Sequence, residues 1–220
     1  MRKKIVLFIG QKILIFSLLF IFISFTAYAT PDSAFAKFYL QRHNIEVQKE
    51  IQQLAYNTAK SYLIDKKVLK YTKIKSPLLK LRTGIFVTIT KDNRTRGCWG
   101  TIEPNNTDIA SEIIDNTIKA LVHDYRFKPV STYELPYLNF FISIVGELRP
   151  VESIAEVNPS IHGLLVISGK HNGALLPKEA KTTGWQLKQC LNKAGIKKGE
   201  SYRMFVFKTV VFGPVKSINN

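Results

Sequence analysis

Acidic residues are scarce in this chain. Asp and Glu together number 16 against 32 Lys and Arg, a formal charge of +16. Arg2, Lys3, Lys4 and Lys12 supply four of those positives, which leaves about +12 on the remainder. Such a balance suits an anionic lipid, wall polymer or nucleic acid as partner. Lys60, Lys66, Lys67, Lys70, Lys73, Lys75, Lys80 and Arg82 crowd one region, but aromatics do not interleave there in a stacking pattern. The run therefore reads as a solvated lysine-rich face, and nucleic acid is not the expected partner. Cysteine is scarcer: Cys98 and Cys190 are the only two and lie far apart. That excludes a disulfide framework, although the pair could join in an oxidising compartment. The four histidines, His43, His123, His162 and His171, are scattered, and there is no Cys-x-x-Cys, so no metal site is expected. Also missing are Gly-x-Gly-x-x-Gly, a phosphate loop and a Gly-x-Ser-x-Gly elbow. No cofactor is implied.

What is present begins with a leader. A basic start is followed by an apolar run from Ile13 to Phe25, broken only by Ser17 and Ser24, and then by Ala27-Tyr28-Ala29. This is the order of a secretory signal peptide, with cleavage preferred after Ala29. A retained membrane anchor within residues 5–28 is the alternative, and it must tolerate Gln11 and Lys12. A second small-x-small site, Ala34-Phe35-Ala36, leaves the cleavage point open. On either reading the chain is secreted or membrane-anchored and works outside the cytoplasm. The expected organisation is a leader over 1–29, a linker over 30–43, one domain over 44–215 and a tail over 216–220.

Periodicity predicts a helix capped by Asn44 and ending near Lys66, then a basic loop to Leu79. Gly84 to Thr90 is β-branched and aromatic, and turn residues 91–94 lead to a returning strand, Arg96 to Ile102. Thr107 or Asp108 caps a second helix ending near His123. Strands are expected at Asn139–Leu148, Gly163–Ser168 and Ala174–Leu176, with Gly169 and Gly173 as turn glycines. A third helix stops at Gly195, and Ser201 to Phe212 reads as one last strand. Helices separated by hairpins make the fold α+β.

The returning strand carries the most informative six residues, Arg96-Gly97-Cys98-Trp99-Gly100-Thr101. Cysteine reacts as its thiolate, which a neighbouring guanidinium favours. Flanking glycines leave room for a ligand to approach the backbone. The same residues also suit a buried cysteine beside a β-bulge.

In order along the chain, several pieces resemble the AMMECR domain family. They are Gly84-Ile85-Phe86-Val87-Thr88, the six-residue motif, Asp124-Tyr125-Arg126-Phe127-Lys128-Pro129 and Glu134-Leu135. His162-Gly163-Leu164, Leu175-Leu176-Pro177, Trp185 and Lys193-Ala194-Gly195 follow. Trp99 stands where the family usually has isoleucine, and Thr95 where an apolar residue precedes the arginine. The resemblance implies an antiparallel sheet flanked by helices with a smaller second subdomain. It does not supply a settled reaction. The family's association with Memo-type and radical-SAM proteins suggests partners in a shared pathway. As chemistry, Cys98 would be a nucleophile or thiol carrier, His162 its base and Asp124 the group orienting that base. Arg96 would hold an anion or depress the thiol pKa. As a binding module for a peptide, small anion or partner protein, Arg96 and Arg126 would anchor the ligand. Trp99 would stack on it, and Gly97, Gly100 and Thr101 would complete the wall.

Overall fold

The computed structural model describes residues 33–214. The leader over 1–29 and the tail over 216–220 lie outside the described residues. Among the described residues no helix is long and apolar enough to cross a membrane.

Two four-stranded antiparallel sheets form the frame. The first has the order β2-β1-β3-β8 and the second β4-β7-β5-β6. The strands are β1 (Ile85–Lys91), β2 (Arg94–Gly100), β3 (Leu138–Val145), β4 (Arg149–Val151), β5 (Gly163–Ser168), β6 (His171–Leu175), β7 (Arg203–Phe207) and β8 (Thr209–Phe212). The architecture is α+β, with the second sheet and its helix as the smaller part.

Four helices cover the sheets: α1 (Ala34–Leu40), α2 (Ile45–Asp65), α3 (Ile109–Val122) and α4 (Thr183–Ala194). Asn44 caps α2 by accepting the Glu46 and Val47 amides at 3.0 and 3.4 Å. Ile51, Leu54, Ala55, Ala59 and Leu63 of α2 are buried. Asp108 caps α3 through the Ser111 amide at 2.8 Å, and α3 packs on β1 and β2. α4 packs on β5 and β6 and ends at Gly195, whose φ of 69° is left-handed.

The differences from the elements expected of the sequence have physical causes. The expected linker over 30–43 contains α1, whose Phe38 is fully buried and meets the Phe212 ring edge-on at 5.7 Å. The expected strand Asn139–Leu148 ends at Val145. Pro150 lies within β4, an edge strand, where a missing N–H costs no ladder bond. The single last strand is two strands in different sheets, with Lys208 between them. The Lys208 carbonyl accepts the Gly146 amide at 2.9 Å, so both chain crossings between the sheets run side by side.

Gly169, with φ of 57°, makes the β5–β6 turn, but Gly173 is a strand residue. A Cβ there would lie 2.1 Å from the Cys190 carbonyl oxygen, so its role is to let α4 approach β6. A shared apolar cluster joins the two sheets. It contains Val145, Leu165, Leu176 and Phe207, with Phe86, Ile102, Leu148 and Ala174 against it.

Candidate functional site

Two adjacent cavities open over that shared cluster and meet at Gly100. One, of about 340 Å³, is lined by Phe86, Cys98, Trp99, Gly100, Asp124 and Arg126 from the first sheet's side, and by Leu176 and Glu179 from the second. The other, of about 480 Å³, continues past Thr101 to Glu103, Leu165, Ile167 and Lys170. Phe86, Gly100, Ala174 and Lys193 line both. The motif strand therefore forms one wall of a cleft between the sheets.

Each motif residue has a distinct position. Arg96 does not face Cys98 as an anion anchor. Its Nε and Nη2 donate to the two carboxylate oxygens of Glu134, both at 2.9 Å, and its Nη1 and Nη2 reach the Lys128 and Pro129 carbonyls. Glu134 also accepts from Lys91 and from the Ser131 amide and hydroxyl. The Arg96 guanidinium, with Ser131 and Lys91 beside it, holds the Glu134 carboxyl down at about 2. Glu134 was not singled out as a site residue, although the Ser131-x-x-Glu134 spacing is a capping-box signal.

Gly97 is a packing glycine. It lies beside the register shift after Ile89, and a Cβ would come within 2.1 Å of the Ala120 carbonyl oxygen of α3. It leaves room for a helix, not for a ligand. Gly100 is open to both cavities on one side. On the other, a Cβ would lie 2.3 Å from the Ile85 carbonyl oxygen and against the Cα and ring of its cross-strand partner Phe86, so β1 itself fills that space. Thr101 donates its hydroxyl to the Glu103 carbonyl and its amide to Ile85. Trp99 packs against the first core while lining the smaller cavity.

Cys98 is half-buried, and its Sγ lies 3.3 Å from Thr88 Oγ1. Burial pushes its pKa up. The Thr88 hydrogen bond and the Arg126 charge oppose this without overcoming it, and Glu179 and Asp124 reinforce it. The thiol form is therefore favoured. Cys190 is a free, fully buried cysteine that donates to the Leu164 carbonyl, and burial lifts it to about 12. The two cysteines do not pair.

Asp124 is buried and accepts the Cys98 amide at 2.8 Å. Arg126 grips the same carboxylate with Nε at 2.9 Å and Nη2 at 2.7 Å. Burial pushes Asp124 up, but the hydrogen bonds from Arg126 and the Cys98 amide together hold it below the usual carboxylate range. Its work is to hold the motif strand, not to orient a histidine. His162 does not line the cleft beside Cys98. Its Nδ1 accepts the Asn158 amide at 3.2 Å, and its carbonyl accepts from Gln186. Burial and the charges of Lys208 and Arg149 lower its pKa. The structure thus brings Cys98, Asp124, Arg126, Trp99, Gly100 and Thr101 to one cleft. It places Arg96, Gly97 and His162 elsewhere. Among the described residues no group of three His, Cys, Asp or Glu side chains could hold a metal ion.

Sequence reasoning did not single out Phe86, Tyr125, Glu179 or Lys193. Tyr125 overhangs the smaller cavity and is 92% exposed. Only its exposure in the folded state marks it, and no periodicity reports that.

Fold and cleft define a two-sheet α+β domain that carries its Cys-containing strand on a sheet edge. The family model AMMECR1 matches residues 52–212, and the chain belongs to that family. A Thermotoga maritima protein is 41% identical over 122 residues, which cover 54% of this chain and 70% of that one. A Clostridium acetobutylicum protein is 36% identical over 129 residues, 58% of this chain but 27% of its own length. The crystal structure of an uncharacterised Pyrococcus horikoshii protein, PH0010, is similar with a TM-score of 0.67 at 25% identity, covering 76% of this chain and 90% of that one. None of these names carries an activity.

Proposed function

We propose that this chain is an exported AMMECR1-family protein that binds a ligand in the cleft between its sheets, with Cys98 as part of the wall and not as a nucleophile. The observation that carries this reading is the state of the thiol. Burial keeps it protonated, no imidazole among the described residues lines its cavity, and the nearest guanidinium, Arg126, is committed to Asp124. An activated cysteine needs the reverse on each count.

What remains is recognition chemistry. Phe86, Trp99, Ala174 and Leu176 give apolar walls, while Lys193 and Glu179 give one charge of each sign. Arg126 keeps Nη1 without a hydrogen bond among the described residues, since only Nε, Nη2 and its backbone amide are used. A ligand with an apolar body and polar ends fits this lining.

Titration of the isotopically labelled protein with a set of N-acetyl amino acid amides and small carboxylates tests the reading. Amide shifts should cluster at Phe86, Cys98–Thr101 and Tyr125–Arg126. Shifts confined to other surfaces would contradict it. Export rests on the order of basic, apolar and small residues in the first thirty positions. Intact-mass measurement of the protein from its own cells should give an N-terminus at Thr30. An N-terminus at Met1 in the soluble cytoplasmic fraction would overturn export.

A further inference from the structure

The cleft has an unpaired sheet edge as one wall, and we infer that its ligand is an extended peptide that adds to β2 at Gly100. This rests on the binding reading above and specifies its occupant.

β2 is an edge strand, bonded only to β1. In an antiparallel pair successive residues turn their N–H and C=O alternately toward the partner and away from it. The Thr101 amide donates to the Ile85 carbonyl at 3.0 Å, so Thr101 faces β1, and Trp99 does the same. Cys98 and Gly100 face away. The Cys98 amide confirms the direction, because it donates outward to Asp124 at 2.8 Å. Asp124 thus closes one outward donor of the edge. Among the described residues the next outward pair, the Gly100 N–H and C=O, has no partner.

An exposed edge invites strand pairing, and proteins usually block it. Here Asp124 blocks one position and the next stays open over a cavity. The opposite wall is β6, also an edge strand, but its Ala174 carbonyl already accepts from Lys193 at 3.0 Å. β2 is therefore the pairing edge. The two cavities lie one on each side of Gly100 along the strand. Side chains i and i+2 of an added strand would point to the same face, about 7 Å apart, one into each cavity. Main-chain bonds would supply affinity and the cavities selectivity, as in other strand-addition complexes. Tyr125, 92% exposed at the mouth, offers an aromatic surface of the kind enriched at peptide anchors.

The test is a positional-scanning library of acetylated hexapeptides against the full-length protein, followed by N-methylation of the best binder at each position in turn. Pairing predicts that N-methylation costs about fivefold in affinity at alternate positions and little at the others, since each lost hydrogen bond is worth roughly 1 kcal/mol. It also predicts slowed hydrogen exchange at the Gly100 amide, and a several-fold loss with Tyr125→Ala at unchanged melting temperature. Hexapeptides that shift Cys98–Thr101 but show no alternating N-methyl effect and no Gly100 protection would overturn strand addition and leave the cleft as a binding site. Strand addition fails in the same way if only the small carboxylates or amino acid amides bind there. If neither set perturbs the cleft, both proposals fail.

Discussion

The arginine of the motif acts on a carboxylate remote from the cysteine. Arg96 and Glu134 form a two-pronged ion pair, with side chains 18% and 8% exposed. Removing one partner of such a pair leaves the other charge buried, so Glu134→Gln should cost about 3 kcal/mol at neutral pH, measured by denaturant unfolding. The pH dependence has a definite sign. The folded carboxyl titrates at about 2 against an ordinary 4.5, so its stabilisation is complete above the ordinary value and is lost as pH falls toward 2. The denaturant midpoint should fall with acid across that window in the native protein and depend less on pH in the variant. This contact was hidden in the sequence because Arg96 and Glu134 lie on separate elements, and proximity to Cys98 along the strand suggested a different partner. The Asp124–Arg126 grip was half legible, as a local salt bridge two residues apart. The Cys98 amide that it holds was not.

At the scale of elements, packing decided what local pattern left open. Gly97 and the cysteine beside it suited either a ligand approach or a bulge. α3 settled the matter by bringing the Ala120 carbonyl against Gly97. Gly97→Ala should therefore lower stability by about 2 kcal/mol, read from the shift in melting, because the obstructing atom belongs to helix backbone that cannot swing aside. The capped helices were legible, since Asn44 and Gly195 carry their boundary chemistry locally. Asn44→Ala should cost about 1 kcal/mol, read from the denaturant midpoint. The last strand was not legible as two. Ser201 to Phe212 alternates without a break, and only pairing partners reveal that Phe207 serves β5 while Thr209 serves β3. α1 escaped notice because its one fully buried contact, Phe38 on Phe212, joins residues from opposite ends of the domain.

For the whole molecule, the chain crosses twice between the sheets, at Gly146–Leu148 and at Lys208, and the crossings are tied by the Gly146 amide. The shared apolar cluster lies beneath the cleft, with Phe207 nearly fully buried in it. Phe207→Ala should cost about 3 to 5 kcal/mol and also widen the cleft floor, so ligand shifts at Phe86 and Gly100 should weaken in parallel with stability. The α+β class was readable because helices are separated by hairpins, whereas the smaller second part was implied only by the family resemblance. The cleft was not, since it is made by two sheet edges whose residues, such as Gly100 and Ala174, are far apart in the chain. The central claim is that Cys98 is a wall residue held as a thiol. Its most direct test is the alkylation rate of Cys98 across pH on the native protein, with mass spectrometry separating it from Cys190. Slow labelling with a midpoint above the free-thiol value of about 8.5 is the expected result. Rapid labelling with a midpoint well below that value would contradict it and return the motif to cysteine chemistry.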